Sequence, residues 1–591
     1  MPFDIQRVLA LAVLLCAWST VHCQAVDLPV SQDLKPPLIQ GWTEQDRAQW
    51  YHTSVGTQLI PYDWFVALQD DQLAKVFSDS GILPDPTRQD RLPVGLSDPQ
   101  SEAASSSHTG MNCAFCHTTQ FNYQGNQIRI EGGPSLQYNQ QFLTALVESL
   151  GKLIAPDLPT LLNNLKEQNP PEKFKAFATK VLALRKEKMT AHTLTKLAVD
   201  VAKRTQALLN RGGKDLSPAR WGPGRLDALG RGGNTVFMPL NPENLRPANA
   251  SVSIPALWGV WLYDWVQWSG SIQHPLARNI AQVIGVNAGL FDWTHKPPLG
   301  PLEEVDKFRS SVDFDSLKQL EALALRLQPP RWLNAFPRID RGLARKGRDL
   351  YHGNKPEGIP NLCAHCHVAK QIPNPGIHGP SVQVTMIPQK EIGTDPLYLE
   401  NFSRRTVDTG PLDRGRLSAK EASQYITMKL LALNDVQDSE YAERKNEWRD
   451  WPQYIARPHL AVWATAPFLH NGSVPNLYEL LSPAKDRHRC FYLSPNMEFD
   501  PVMVGYAVME CDKDPGFPGL QGAFKFETYL PGNGNGGHEF ANTPDCLNPG
   551  SNGILGCELP NDVRKALIEY LKTCDLERFV IPDAMVCRDL E

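Results

Sequence analysis

The chain has 591 residues, 42% of them hydrophobic and 21% charged, and a formal net charge of -5. That length exceeds one ordinary core and suits two domains; the balance is that of a globular chain and not of a disordered or membrane-embedded one. No long basic run appears, which sets nucleic-acid binding aside.

The first element reads as a secretory signal. Arg7 stands in a short polar start, residues 8–18 form an apolar run, and Cys23-Gln24-Ala25 offers a small-residue cleavage site. The run is shorter than the ~20 residues needed to span a bilayer, and His22 is a poor match to the small residue that lipid attachment at Cys23 wants. Residues 1–25 are therefore expected to be removed, leaving a periplasmic or secreted protein with no stable membrane anchor.

Residues 51–64 are expected to supply a helix leading to the first motif, and the Ser/Ala/Gly-rich residues 101–110 a loop that delivers it. The motif is Cys113-Ala114-Phe115-Cys116-His117; a second, Cys363-Ala364-His365-Cys366-His367, repeats the pattern. In C-x-x-C-H, two thiols three positions apart on one helical turn can add to the two vinyl groups of a haem, and the adjacent histidine points at the iron. A zinc site would want further Cys or His ligands at suitable spacing, and the chain supplies none. Two covalently bound haem c groups are expected, with His117 and His367 as iron ligands and His365 as a solvent-side spacer.

Between the motifs, Arg225 in Gly222-Pro223-Gly224-Arg225-Leu226-Asp227 could meet a haem propionate or a surface carboxylate. Trp258, Trp261, Trp265 and Trp268 recur at helical spacing and predict four indoles along one helical face, serving either as plain core or as the wall of a pocket beside the first haem. Residues 315–327 predict a leucine-rich helix ended by Pro329-Pro330, which places the domain boundary near 330. After it, Gly347-Arg348-Asp349-Leu350-Tyr351 reads as the first helix of a cytochrome c unit. Val563, Leu567, Tyr570 and Leu571 form the apolar face of its last helix, and the two are expected to cross.

An iron with two protein ligands mainly passes electrons, whereas one with an open position can take dioxygen or peroxide. For the second haem, His538 in Gly532-Asn533-Gly534-Asn535-Gly536-Gly537-His538 is a candidate second ligand, because a glycine-rich loop lets backbone approach a flat cofactor. The alternative is an ordinary surface histidine, and Met497, Met503 and Met509 are competing donors. For the first haem no comparably presented residue is found. Six late cysteines, Cys490, Cys511, Cys546, Cys557, Cys574 and Cys587, suit three disulfides between sequence neighbours, or some free thiols.

The paired motifs, with Ala456-Arg457-Pro458-His459 leading into Trp463-Ala464-Thr465-Ala466-Pro467-Phe468-Leu469-His470-Asn471-Gly472-Ser473-Val474-Pro475, resemble the bacterial di-haem cytochrome c peroxidase superfamily. Gln40-Gly41-Trp42-Thr43, Tyr62-Asp63-Trp64-Phe65 and the late glycine-rich segment bring the likeness closer to the large di-haem oxygenases, the rubber oxygenase and the oleate 10S-dioxygenase and diol synthase. The resemblance implies a mainly α fold of two cytochrome c-like haem domains with extensive loops: residues 26–330 catalytic, and residues 331–591 an electron-transfer or structural unit with a disulfide-stapled tail. It implies a catalytic haem on His117, with Trp258, Trp261 and Trp265 as pocket candidates, and a second haem held by His367 and His538. The implied activity is addition of dioxygen to an unsaturated fatty acid or polyisoprenoid. Peroxide reduction with a small electron-donor protein, or isomerisation of a lipid hydroperoxide, are the alternatives, and a simple electron carrier is a third.

Overall fold

The computed structural model describes residues 38, 40–69, 76–99, 107–212, 221–286, 307–353, 363–367, 370–372, 381–436, 444–511, 523–544, 546 and 552–573. Residues 1–25, Cys574 and Cys587 lie outside them. Helices dominate, joined by long loops and short strand pairs such as Thr118–Tyr123 with Asn126–Glu131. Among the described residues no helix is long and apolar enough to cross a membrane.

Helix Arg341–Tyr351 crosses helix Asn561–Leu571, as the apolar spacing predicts. The crossing is close because Gly347 has no side chain: a Cβ there would stand 1.9 Å from the Ala566 carbonyl oxygen. Tyr351 and Tyr570 meet edge to face beside it, with ring centres 5.2 Å apart. The leucine-rich helix runs Phe314–Arg326, capped by the Asp313 carboxylate accepting from the Ser316 N–H, close to the predicted span.

Two predicted elements differ. Residues 51–64 are not one helix; helix Glu44–His52 ends before an extended stretch, and Tyr62–Leu68 begins after Pro61. The break follows from Gly56 at φ +88°, where a Cβ would collide with the Ser311 carbonyl at 1.7 Å, and from Pro61, which is tolerated only at a helix start. The leading element of the first motif is therefore Glu44–His52, begun by a reciprocal Thr43/Asp46 cap.

The tryptophan segment is not helical either. Only Val260–Leu262 forms a short 3-10 turn, and Gly259 and Gln267 take left-handed φ values of +77° and +70°. A Cβ at Gly259 would meet Leu460 at 2.5 Å. The irregular path sends the indoles to different neighbours instead of one face.

Three large apolar clusters, with two smaller ones, build the interior of the described residues. One joins helices Ala228–Phe237, Pro275–Gly285, Phe314–Arg326 and Ala419–Leu433. A second packs the crossing helices with Trp463, Phe499 and Phe526 and takes in Phe121 from the strand that follows the first motif. The third is the helical bundle Asn139–Leu153, Leu158–Lys166, Glu172–Arg185 and Ala191–Gly212 on Phe65 and Phe115. Contacts cross residue 330 in both directions: Phe121 stacks on Phe499 at 4.9 Å, and Ala419–Leu433 shares a core with Pro275–Gly285. Cys490–Cys511 and Cys546–Cys557 are disulfide-bonded, so two neighbour pairings hold.

Replacing Gly347 by leucine forces the two crossing helices apart. The expected cost is about 1–3 kcal/mol of unfolding free energy, measured by urea denaturation against the parent chain; an unchanged midpoint would contradict the close crossing.

Candidate functional site

The first motif is one helical turn, Cys113–Cys116, with the His117 N–H donating to the Cys113 carbonyl at 3.0 Å. Asn112 sets its position. The Asn112 side-chain oxygen caps the turn by accepting from the Ala114 N–H at 3.0 Å, and its amide donates to the carbonyls of Trp50, Tyr51 and Thr53 at 3.0–3.1 Å. One asparagine thereby ties the turn to the end of helix Glu44–His52. Behind it, buried Glu131 accepts from the Tyr51 hydroxyl and the Gln40 side chain anchors the Glu131 main chain.

Cys113, Cys116 and His117 open onto a large, mainly apolar cavity whose wall includes Trp50, Trp261, Trp268 and Phe237, with Arg278, Asn279 and Glu321 among its polar residues. Burial pushes the Cys113 thiol up to about 11 and Cys116 up to about 12. Burial also draws His117 down to about 3, aided by the nearby Arg278 charge, so the ring is neutral and able to donate a lone pair. Its Nδ1 is buried and makes no hydrogen bond of ordinary geometry, although the Pro255 carbonyl lies close enough to favour the protonated ring. Glu321 accepts from the Asn279 amide, and the Arg278 guanidinium donates to Asn279 at 2.6 Å.

The predicted tryptophans separate here. Trp261 lines the cavity with His117. Trp258 turns away, donating from Nε1 to the Leu460 carbonyl at 2.8 Å, and Trp265 lies under the Arg449 guanidinium at 3.8 Å. Trp268 joins Trp261 on the wall, held by a 2.8 Å hydrogen bond to the Ser253 carbonyl.

At the second motif the His367 N–H donates to the Cys363 carbonyl at 2.8 Å, closing the same single turn. His365 is exposed. The His367 Nδ1–H donates to the Arg457 carbonyl at 2.6 Å, which leaves Nε2 directed elsewhere and fixes the tautomer. His538 faces His367 with ring centres 6.2 Å apart. Two metal–imidazole bonds of about 2 Å on opposite sides of one ion set ring centres about 6 Å apart, so this pair fits a shared iron. Burial draws His538 down to about 3, assisted by His367 and Arg487, and its Nδ1 is buried without a hydrogen-bond partner. The Met497 sulfur is occupied otherwise, accepting from the Ser494 N–H at 3.2 Å.

Four side chains present His538. Asp395 accepts from the N–H groups of Gly532 and Gly534 at 2.9 and 3.1 Å. The Asn471 amide donates to the Gly532 and Gly534 carbonyls, and the Ser473 hydroxyl donates to Gly534. Arg487, buried, donates to the Asn535 carbonyl and to the carbonyls of Gly537 and His538, the last two at 2.9 Å. Gly537 at φ +73° packs its Cα against Gly393, where a Cβ would stand 2.3 Å from backbone, and His538 itself takes φ +44°. Arg225 is no surface residue: it is buried and donates to the Asn533 side chain at 2.6 Å, bracing the same loop.

Sequence reasoning misses His459 as part of this site. It stacks on His367 at 4.0 Å and its Nδ1 lies 3.2 Å from the Tyr351 hydroxyl. The only signal is its place in Ala456-Arg457-Pro458-His459. Among the described residues no group of three or more His, Cys, Asp or Glu side chains is arranged to hold a bare metal ion; a porphyrin supplies four of its iron's ligands itself and asks the protein for one or two. Paired thiols, an adjacent histidine and a second histidine opposite are a donor set that fits haem c at the second motif, and the first motif supplies the same thiols and adjacent histidine, with no opposing histidine among the described residues.

Removing the Arg487 side chain leaves three loop carbonyls without donors. Arg487→Ala is expected to lower stability by about 2–3 kcal/mol and to raise amide hydrogen exchange across residues 532–538; unaltered exchange there would show that Arg487 does not hold the loop.

Residues 453–492 match the family described as RoxA-like, cytochrome c-like, which implies haem c. That segment carries Arg457, His459, Asn471, Ser473 and Arg487, the groups that surround His367 and His538. The chain is 31% identical over 623 residues to protein y4iJ of Sinorhizobium fredii (strain NBRC 101917 / NGR234), covering 94% of this chain and 96% of that protein. It is 25% identical over 381 residues to protein y4iM of the same strain, covering 61% of this chain and 73% of that protein. Both relatives are described as uncharacterized.

Proposed function

Because the chain belongs to the same family as protein y4iJ and contains a RoxA-like, cytochrome c-like segment, we propose that it is an exported di-haem c-type oxidoreductase that adds dioxygen to an unsaturated fatty acid or polyisoprenoid chain. Cys113, Cys116 and His117 hold the catalytic haem, and Cys363, Cys366, His367 and His538 hold the second. When bound, the first haem supplies oxygen activation and the second supplies or buffers electrons.

The observation that carries this reading is the contrast between the two motifs. His367 has His538 across from it, whereas His117 faces a cavity in which, among the described residues, it is the only histidine of the lining. The cavity is walled by Trp50, Phe237, Trp261 and Trp268. Such a lining excludes water and accepts an apolar chain by burial alone, at ~25 cal/mol per Å². The indole of Trp268, fixed through the Ser253 carbonyl, gives that chain a rigid surface to lie along.

A second reading, peroxide reduction with a small donor protein, is favoured by Glu321. Its carboxylate stands on the cavity wall beside Arg278, where it could pass a proton to a leaving oxygen. Rearrangement of a lipid hydroperoxide would use the same cavity. Residues 1–25 act as the export signal, and residues 26–330 and 331–591 each deliver one haem.

Purified protein incubated with oleate is expected to consume oxygen and release a hydroperoxide or a cleaved chain by mass. Oxidation of a reduced cytochrome by peroxide without oxygen uptake would replace the oxygenase by the peroxidase, and Glu321→Gln would then cost at least about 100-fold in rate.

Electron paramagnetic resonance of the oxidised protein is expected to show a low-spin signal that disappears in His538→Ala. Persistence of that signal removes His538 from the iron.

A further inference from the structure

The two motifs are joined by one residue that neither of them contains. The main-chain oxygen of Arg457 accepts from His367 Nδ1 at 2.6 Å. Its guanidinium lies over the Trp268 ring, 4.8 Å from the ring centre, and Trp268 lines the cavity that holds His117. The Arg457 Nε is buried with no hydrogen-bond partner, and among the described residues no carboxylate pairs with this side chain. The charged group that acts on it is Arg278.

We propose that Arg457 is a positioning residue shared by the two haem sites: its carbonyl orients His367, and its guanidinium sets a positive charge behind the wall of the His117 cavity. This rests on the two-haem reading given above.

The Arg457 guanidinium, like that of arginine generally, is charged throughout the neutral range. A fixed cation in a low-dielectric interior opposes any further positive charge nearby. Ferric iron carries one more positive charge than ferrous, so Arg457 favours the reduced state at His117 and makes that centre the better electron acceptor. The main-chain contact to His367 does not depend on side-chain identity. Substitutions therefore separate the two roles.

The test uses the full-length haem-loaded protein. Pyridine haemochrome analysis of the unmodified chain comes first, and a count of one haem overturns the two-haem reading itself. With two haems present, optical redox titration compares the parent with Arg457→Gln, Arg457→Lys and Arg457→Met. Neutral variants are expected to shift the reduction equilibrium of the His117 centre about tenfold towards the oxidised state, about 59 mV for one electron. Lysine is expected to retain most of the parent value. The low-spin signature of the His367 centre is expected to stay unchanged in all three. Methionine fills the volume of the stem without charge, so it remains informative where glutamine fails to fold. An unmoved potential in Arg457→Met overturns the proposal, as does a lysine variant that falls as far as methionine.

Discussion

The second motif depends on a solvation constraint in a glycine-rich loop. Residues 532–538 must press their backbone against neighbouring chain to bring His538 opposite His367, and buried backbone N–H and C=O groups have to find partners. Asp395 takes two N–H groups, while Asn471, Ser473 and Arg487 supply donors to the carbonyls. The loop's conformation is thus set by side chains that come from elsewhere. Glycine permits the approach, and the polar partners make it the stable one. Asn471, Ser473 and Arg487 all fall within the segment that matches the RoxA-like family. In physical terms that segment is the scaffold on which the second motif and its opposing histidine are brought together.

The same segment ties the two halves together. Arg457 precedes His459, which stacks on His367, while Trp463 donates to the Pro330 carbonyl at the predicted boundary. Ser253, close to the first cavity, donates from its main chain to the His470 carbonyl at 2.8 Å. Apolar packing follows suit, with Phe121 against Phe499 and Ala419–Leu433 against Pro275–Gly285. Motions that separate the two motifs would have to break buried contacts on both sides of residue 330, so the geometry between them is held by the interior and not by a linker.

Much of this is legible in residue order. C-x-x-C-H spacing dictates a single turn, and both motifs form one. Apolar periodicity locates the crossing helices and the helix at Phe314–Arg326. His538, singled out through its glycines, stands opposite His367. Where residue order misleads, a tertiary contact overrides a local pattern. Four tryptophans at helical spacing look like a face, yet Gly259 and Gln267 take left-handed turns that periodicity does not register. Residues 51–64 look continuous, but Gly56 must pass the Ser311 carbonyl. Arg225 and His459 have no sequence signal strong enough to reveal that distant segments bury them; their roles come from chain neighbours hundreds of positions apart or from a stacking partner brought in by the fold.

The pairing of Cys490 with Cys511 and of Cys546 with Cys557 spans 21 and 11 positions. Closing such short rings carries little entropic penalty and is therefore quick relative to any union with a thiol far along the polypeptide. Each of these late cysteines therefore meets its partner within its own stretch of polypeptide before remote thiols can compete, which confines oxidation of this region to local pairs.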